Sequence, residues 1–154
     1  MEINNLNKKP NPEQNKKLTK KVDYFEKLIN EINKKDLPSE IVNSVNDEIK
    51  QLNSFSGSDK ELLKLFRKVQ STILKLLEKE LKLVTKNHYR NRWLAIGMAG
   101  LGIPIGAALG ASVGNMSLIG LGMILGMIFG ITIGMGMDKK AKESGKQLDV
   151  EIEY

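Results

Sequence analysis

The stretch Trp93–Met137 contains no charged side chain, and it constrains the fold of this 154-residue chain more than any other feature. It runs for 45 residues and consists mostly of Gly, Ala, Met, Ile and Leu. A membrane-spanning helix needs about 20 apolar residues, and a charge at the bilayer centre costs roughly 2.5–3.5 kcal/mol on insertion scales. The stretch therefore predicts two membrane spans, even though the whole chain has a mean hydropathy of −0.26 and a net charge of +6.

The two predicted spans are residues 93–114 and 116–137, and the connection between them is Asn115-Met116-Ser117. Each span has 22 residues. A helix of that length extends about 33 Å, which matches a hydrocarbon core of about 30 Å. Because backbone polar groups within lipid must be paired internally, we expect two helices in a tight antiparallel hairpin.

Glycine recurs at every fourth position in both predicted spans. Small residues at this spacing let helix backbones approach closely, and in lipid such packing takes the place of the hydrophobic effect between helices. Glycine costs up to about 1 kcal/mol relative to alanine inside a soluble helix, so the repetition favours close packing over chance. The spacing leaves open whether the two sets pack within one chain or between chains. The predicted helix-packing residues are Gly102, Gly106, Gly110 and Gly114 in the first span and Gly122, Gly126, Gly130 and Gly134 in the second.

Two further features of the first span affect its packing. Pro104 should interrupt the backbone hydrogen bonds and bend the helix slightly, with Gly100 leaving room for the proline ring. A second surface of small residues predicts that this span lies inside an assembly; it consists of Ala95, Ala99, Ala107, Ala108 and Ala111.

Basic and aromatic residues flank the hairpin on one side only. Lys82 and Lys86 precede the first span, and the connection between the spans carries no charge. The excess of Lys and Arg in cytoplasmic loops predicts an inner (cytoplasmic) membrane, multi-pass protein with both termini in the cytoplasm. The N-terminus has no apolar segment typical of a cleaved signal peptide. The predicted membrane-interface residues are Tyr89, Arg90, Arg92, Trp93, Lys139, Lys140 and Lys142.

The glycine-rich region and its flanks, from Tyr89-Arg-Asn-Arg-Trp93 to Asp138-Lys-Lys-Ala-Lys142, resemble a known architecture. They are similar to small bacterial glycine-zipper membrane proteins with a two-helix transmembrane hairpin. The resemblance implies an integral membrane protein that self-associates. It brings no catalytic residues, and it does not extend to residues 1–85.

The chain before the hairpin predicts a disordered N-terminus at residues 1–11 and a cytosolic helical domain at residues 12–92. Asn11 and Pro12 are typical of a helix start, Pro38 separates a second helix from the first, and the pattern Ser58-Asp-Lys-Glu61 is a capping box that begins a third. Nothing between Leu81 and Trp93 obviously breaks a helix, so we expect the third helix to continue into the membrane. Together with the hairpin, these elements predict an all-α fold.

The C-terminal tail, residues 138–154, ends in an alternating segment. Leu148, Val150, Ile152 and Tyr154 alternate with acidic residues, a pattern typical of a β-strand. An isolated strand is unstable, so residues 147–154 either dock on the helical unit or on a partner, or remain a disordered acidic tail.

Nothing in the sequence indicates an enzyme, a cofactor or a metal site; cysteine is absent and His88 is the one histidine. We predict a homo-oligomeric membrane protein that anchors a cytosolic helical interaction module. The alternative is an oligomeric pore or a membrane-permeabilising effector. The expected partners are the lipid bilayer, other copies, and a cytosolic protein bound through residues 12–84 or 147–154. No nucleic-acid binding is expected, because the lysines are interleaved with acidic residues.

Overall fold

The computed structural model of the chain describes residues 2–7 and 15–152. The described part is predominantly helical, which confirms the predicted all-α class. It divides into two compact units. The first comprises Met1–Val84 with Leu148–Tyr154 and is called the helical unit here, and the second comprises Thr85–Gln147 and contains the hairpin.

In the described residues of the helical unit there are three helices: α1 (Lys16–Asn33), α2 (Ser39–Ser54) and α3 (Asp59–Leu81). The side chain of Asn15 caps α1 by accepting from the amide of Leu18 at 3.1 Å. The start predicted at Asn11 and Pro12 lies outside the described residues. Each helix turns its aliphatic stripe into one shared core, where the rings of Phe25 and Phe66 meet edge to face with centroids 5.5 Å apart.

Two short strands, β1 (Val84–Lys86) and β2 (Gln147–Glu151), pair in a two-stranded sheet. β2 is the alternating segment of the tail. Leu148 and Val150 are buried in the core of the helical unit, while Asp149 is exposed and its amide donates to Glu31 Oε2 at 3.0 Å. Of the alternatives for the tail, the structure therefore has the strand docked on the helical unit.

The expectation that α3 continues into the hairpin is wrong. Lys82 takes a left-handed conformation with φ of 58°, and the amide of Leu83 donates back to the carbonyl of Leu77 at 3.1 Å. This is the hydrogen-bonding pattern that closes a helix. The strand β1 and a second left-handed residue, Asn87 with φ of 59°, follow before helix resumes at His88.

The predicted disorder of residues 1–11 does not hold for residues 2–7. Ile3 and Leu6 are only 4% and 7% exposed and belong to the core of the helical unit. Two aliphatic side chains in an Asn-rich segment are enough to anchor it, because the helices offer polar partners for its backbone.

The second unit is a helical hairpin. Its first apolar helix, His88–Val113, consists of α4 (His88–Ile96), a π-helical segment (Gly97–Gly102) and α5 (Ile103–Val113). Its second apolar helix is α6 (Leu118–Glu143). Each helix has 26 residues, and their most apolar windows have mean hydropathies of 1.8 and 2.2. Both are therefore long and apolar enough to cross a membrane.

Candidate functional site

The two apolar helices touch through glycine. A Cβ atom added at Gly102 would lie 2.7 Å from the carbonyl oxygen of Gly122, and one added at Gly122 would lie 2.5 Å from the Cα of Gly106. Real Cβ contacts do not fall below 3.0 Å, so these positions hold glycine because any side chain would separate the helices. The glycine interface, as we name it, consists of Gly97, Gly102, Gly106, Gly122, Gly126, Gly130 and Gly134. These glycines of the two apolar helices thus pack against the opposite helix within one chain, whereas a Cβ at Gly110 would meet the turn, 3.0 Å from the carbonyl oxygen of Asn115.

Gly97 belongs to this interface although the four-residue spacing omits it. A Cβ at Gly97 would overlap the carbonyl oxygen of Gly126. The next interface glycine is Gly102, five positions later, and the wider turn between them is the π-helical segment. In that segment the amide of Ile103 donates to the carbonyl of Met98, five residues back. The extra residue keeps both halves of the first apolar helix facing α6.

Pro104 explains where the π-helical segment ends. Proline has no N–H to donate, and in a regular α-helix its ring would clash with the carbonyl of the residue four positions back, here Gly100. The interruption expected at Pro104 thus takes the form of a π turn immediately before it, a recognised cause of irregularity in helices. Gly100 itself is exposed, and a Cβ there would meet nothing closer than 3.9 Å.

Gly114 does not take the packing position predicted for it. Its φ is +71°, it ends α5, and a Cβ placed there would find no atom within 4 Å. The amide of the following residue, Asn115, donates to the carbonyl of Gly110 at 2.9 Å. Gly114 is thus the left-handed residue that ends the helix and reverses the chain, a role that glycine fills without strain.

The outer surface of the hairpin carries the large side chains. Among the described residues, every exposed large apolar side chain lies between residues 96 and 137. Only 22% of the most apolar window of each helix is buried. The hydroxyls of Ser112 and Thr132, which lie on the two apolar helices, donate at 2.8 Å to carbonyls of their own helices, so neither needs water. The exposed apolar residues are Ile96, Leu101, Ile103, Ile105, Leu109, Val113, Met116, Leu121, Ile124, Leu125, Ile128, Phe129, Ile133, Met135 and Met137.

A buried carboxylate closes the charged end of the hairpin. Asp138 is 8% exposed, and its two oxygens accept from the backbone amides of Tyr89 at 3.0 Å and Arg90 at 2.9 Å. These amides belong to the first turn of α4, where unpaired N–H groups and the helix dipole both favour a negative charge. Asp138 therefore acts as the N-terminal cap of α4, supplied by α6.

Asp138 is not among the site residues that the sequence predicts. The signal that could have found it is its position, because it lies four residues after Gly134 and so continues the repeat of the second span. Gly97 had a weaker signal, since its spacing from Gly102 breaks the repeat.

The predicted membrane-interface residues lie at this same end. The backbones of Tyr89 and Arg90 pack against Gly134, and that of Trp93 packs against Gly130. The remaining four side chains are exposed; they are Arg92 on α4 and Lys139, Lys140 and Lys142 on α6. The structure thus brings the two flanks together at one end of the hairpin, while the turn at residues 114–117 carries no charge.

Comparisons with protein-family models, with curated proteins and with solved structures find no match to the chain.

Proposed function

We propose that the chain is a multi-pass integral membrane protein whose hairpin anchors the helical unit at the membrane. The observation that carries this proposal is the inverted packing of the hairpin, with glycine inside and large apolar side chains outside. In water such a surface is unfavourable, because soluble monomers rarely expose apolar patches larger than a few hundred Å². In lipid the same surface is well solvated, and the glycine contacts hold the helices together.

We further propose an inner-membrane location with both termini in the cytoplasm. The distribution of Lys and Arg supports this orientation, since the basic residues of the hairpin unit flank its spans on one side and its turn is uncharged. The helical unit, which precedes the hairpin and also receives the tail strand, would then lie in the cytoplasm.

Substitution with arginine tests membrane insertion. Phe129 is 63% exposed, so Phe129→Arg would place a charge in lipid if the proposal is correct. The variant is expected to lose its resistance to alkaline carbonate extraction. The control Asn43→Arg, on an exposed position of α2, is expected to behave as the wild type. If the wild type is itself extracted by carbonate, or if Phe129→Arg resists extraction as well as the wild type does, the surface around Phe129 does not face lipid and the proposal fails.

Single cysteines test the orientation, and the natural chain contains none to interfere. Lys50→Cys, Ser117→Cys and Lys146→Cys are all at exposed positions. In intact bacterial spheroplasts, a membrane-impermeant maleimide should label only Ser117→Cys, in the turn. After lysis it should label all three. Labelling of Lys50→Cys in intact cells would contradict the proposed orientation.

Self-association is also part of the proposal. The glycine interface is occupied within the hairpin, so copies would associate through the other face of the first apolar helix, where Ala95, Ala99 and Ala108 are exposed. The mass of the complex in nanodiscs should exceed one copy. Ala99→Leu with Ala108→Leu should reduce it to one, and a wild-type monomer would remove oligomerisation from the proposal.

The pore alternative has less support. A pore lined by the glycine faces would need those faces to be open, and they are covered by the opposite helix. The hydroxyls of Ser112 and Thr132 are bonded to their own helices rather than offered to water. Release of a trapped dye from liposomes by the purified protein would revive this alternative.

A further inference from the structure

Residues 2–7 form a strap, as we name it, that lies on the helical unit with a three-residue period. Ile3 and Leu6 are buried in the core, and the four residues around them are exposed. The strap has no helix or strand pairing of its own. Its backbone is held instead by asparagine side chains from α1 and α2.

Asn46 and Asn53 hold the strap in the same way. Each side chain accepts from one strap amide through Oδ1 and donates to the carbonyl two residues earlier through Nδ2. Asn46 accepts from Asn4 at 2.7 Å and donates to Glu2 at 3.3 Å. Asn53 repeats the pattern three strap residues later, accepting from Asn7 at 2.9 Å and donating to Asn5 at 3.2 Å. In addition, Asn33 of α1 accepts from the amide of Ile3 at 3.0 Å.

The two repeats match in length. Asn46 and Asn53 are seven residues apart on α2, a rise of about 10.5 Å along a helix. Three residues of an extended, polyproline-like chain cover about 9.3 Å. Two asparagines seven positions apart on a helix can therefore form hydrogen bonds with the backbone of successive three-residue units of an extended peptide, whatever the side chains of that peptide are.

We propose that this face of α1 and α2 is a peptide-binding groove that the strap occupies in cis. Its partner in trans is an extended protein segment with aliphatic side chains three positions apart. The segment cannot have proline at the positions equivalent to Ile3, Asn4 or Asn7, because those amides donate hydrogen bonds. This inference rests on the role predicted for the helical unit as an interaction module, and it adds the kind of segment that the module would bind.

Displacement of the strap is compatible with its contacts. The hydrogen bonds to Asn46 and Asn53 are all solvent-exposed, so water can replace them. Two side chains are the only parts of the strap in the core. Segments with few buried contacts and exposed hydrogen bonds open locally without global unfolding.

Fluorescence polarisation on the full-length protein in nanodiscs tests the groove. The probe is a labelled peptide with the sequence of residues 1–7, MEINNLN. The double variant Ile3→Asp/Leu6→Asp frees the groove and should bind the probe at least tenfold more tightly than the wild type. Adding Asn46→Ala and Asn53→Ala should weaken that binding at least tenfold. A probe with proline in place of Asn4 and Asn7 should not bind.

Absence of saturable binding to the strap-free variant, with its helical circular dichroism retained, would overturn the proposal. So would equal binding to the asparagine variants. Hydrogen exchange on the wild type supplies a test that needs no variant, because the amides of Ile3, Asn4 and Asn7 should exchange much faster than those of central α2. Equal protection would mean that the strap does not open. Peptide binding and hydrogen exchange are measured independently of carbonate extraction and cysteine labelling. The proposed groove and the proposed membrane anchor can therefore be refuted separately.

Discussion

The helical unit and the hairpin distribute side-chain size in opposite ways. In the helical unit the large residues are inside, and Phe25, Phe66, Leu28 and Ile49 have no measurable exposure. In the hairpin the inside is glycine backbone, while Phe129 is 63% exposed and Ile128 is 54% exposed. One chain therefore uses two packing rules, each of which suits a different solvent.

The difference shows what holds each unit together. In water, burial of apolar area supplies roughly 25 cal/mol per Å², so the three helices gain from large core side chains. Between helices in lipid this term is absent, and close backbone contact with weak Cα–H···O bonds replaces it. Truncation of a large apolar side chain should therefore destabilise the helical unit, where such side chains are buried, and have little effect in the hairpin, where they are exposed.

The same substitution in both units gives the largest contrast. Phe66→Ala removes a fully buried ring packed against Phe25 and should cost about 3–5 kcal/mol of folding free energy. Phe129→Ala removes a ring that faces outward and should change stability by less than about 0.5 kcal/mol. Chemical denaturation in detergent, followed by circular dichroism, measures both. Equal costs would contradict the inverted packing.

Within the hairpin, alanine should have opposite effects at two glycines of α6. A Cβ at Gly126 would lie 2.7 Å from the Cα of Gly102, so Gly126→Ala should destabilise the hairpin by about 1–3 kcal/mol. Gly136 has nothing within 4 Å, and Gly136→Ala should stabilise α6 by up to about 1 kcal/mol. Thermal unfolding in one detergent compares the two variants. Stabilisation by both would show that the helices are not in close contact.

The carboxylate cap predicts a smaller effect. Asp138→Asn retains the shape of the side chain but loses the charge that both amides of α4 contact, and should cost about 1–2 kcal/mol. The control is Glu143→Gln at the exposed end of α6, which should be neutral. Faster hydrogen exchange at the amides of Tyr89 and Arg90 in Asp138→Asn would locate the effect. Unchanged exchange there would argue against capping.

Acid should weaken the helical unit slightly through Glu61. The hydroxyl and then the backbone amide of Ser58 donate to its carboxylate, at 2.7 Å and 3.0 Å, and lower the pKa of Glu61. A lowered folded-state pKa stabilises the fold above the unfolded value of about 4.3, and the contribution disappears as the pH falls through the folded value. Between pH 6 and pH 3 the melting temperature should therefore fall less in Glu61→Gln than in the wild type, as followed by circular dichroism. An identical fall would exclude this contribution.

The parts of the fold that follow from local sequence rules were predictable. Ser58 and Pro38 mark helix starts because capping and the proline ring act on their own neighbours. The alternation of Leu148 and Val150 with acidic residues predicted a strand, because this pattern too is set by neighbouring residues. Lys82 was not predictable, because the left-handed residue that ends α3 is one that has no special preference for that conformation.

The candidate site was predictable in its repeat but not in its register. Equal four-residue spacing indicated which glycines could face another helix. The spacing omitted Gly97, which the π-helical segment brings into the glycine interface, and it included Gly114, which instead reverses the chain. The capping role of Asp138 could not be predicted because it depends on where α4 begins, and the sequence did not indicate a helix start at His88. The strap was missed because its own composition, which is rich in Asn, gives no information about the residues that contact it. Its hydrogen-bond partners, Asn46 and Asn53, lie in a distant part of the sequence.

The π-helical segment has a consequence for how this hairpin could change over evolutionary time. A single widened turn is the place where a helix absorbs one additional amino acid, so the residues on both sides of Gly97–Gly102 keep their contacts with the opposite helix. Elsewhere in either helix, an inserted residue that stayed in regular α-helix would rotate the later glycines by about 100° away from their partners. The hairpin thus has one tolerant turn in an otherwise length-sensitive interface.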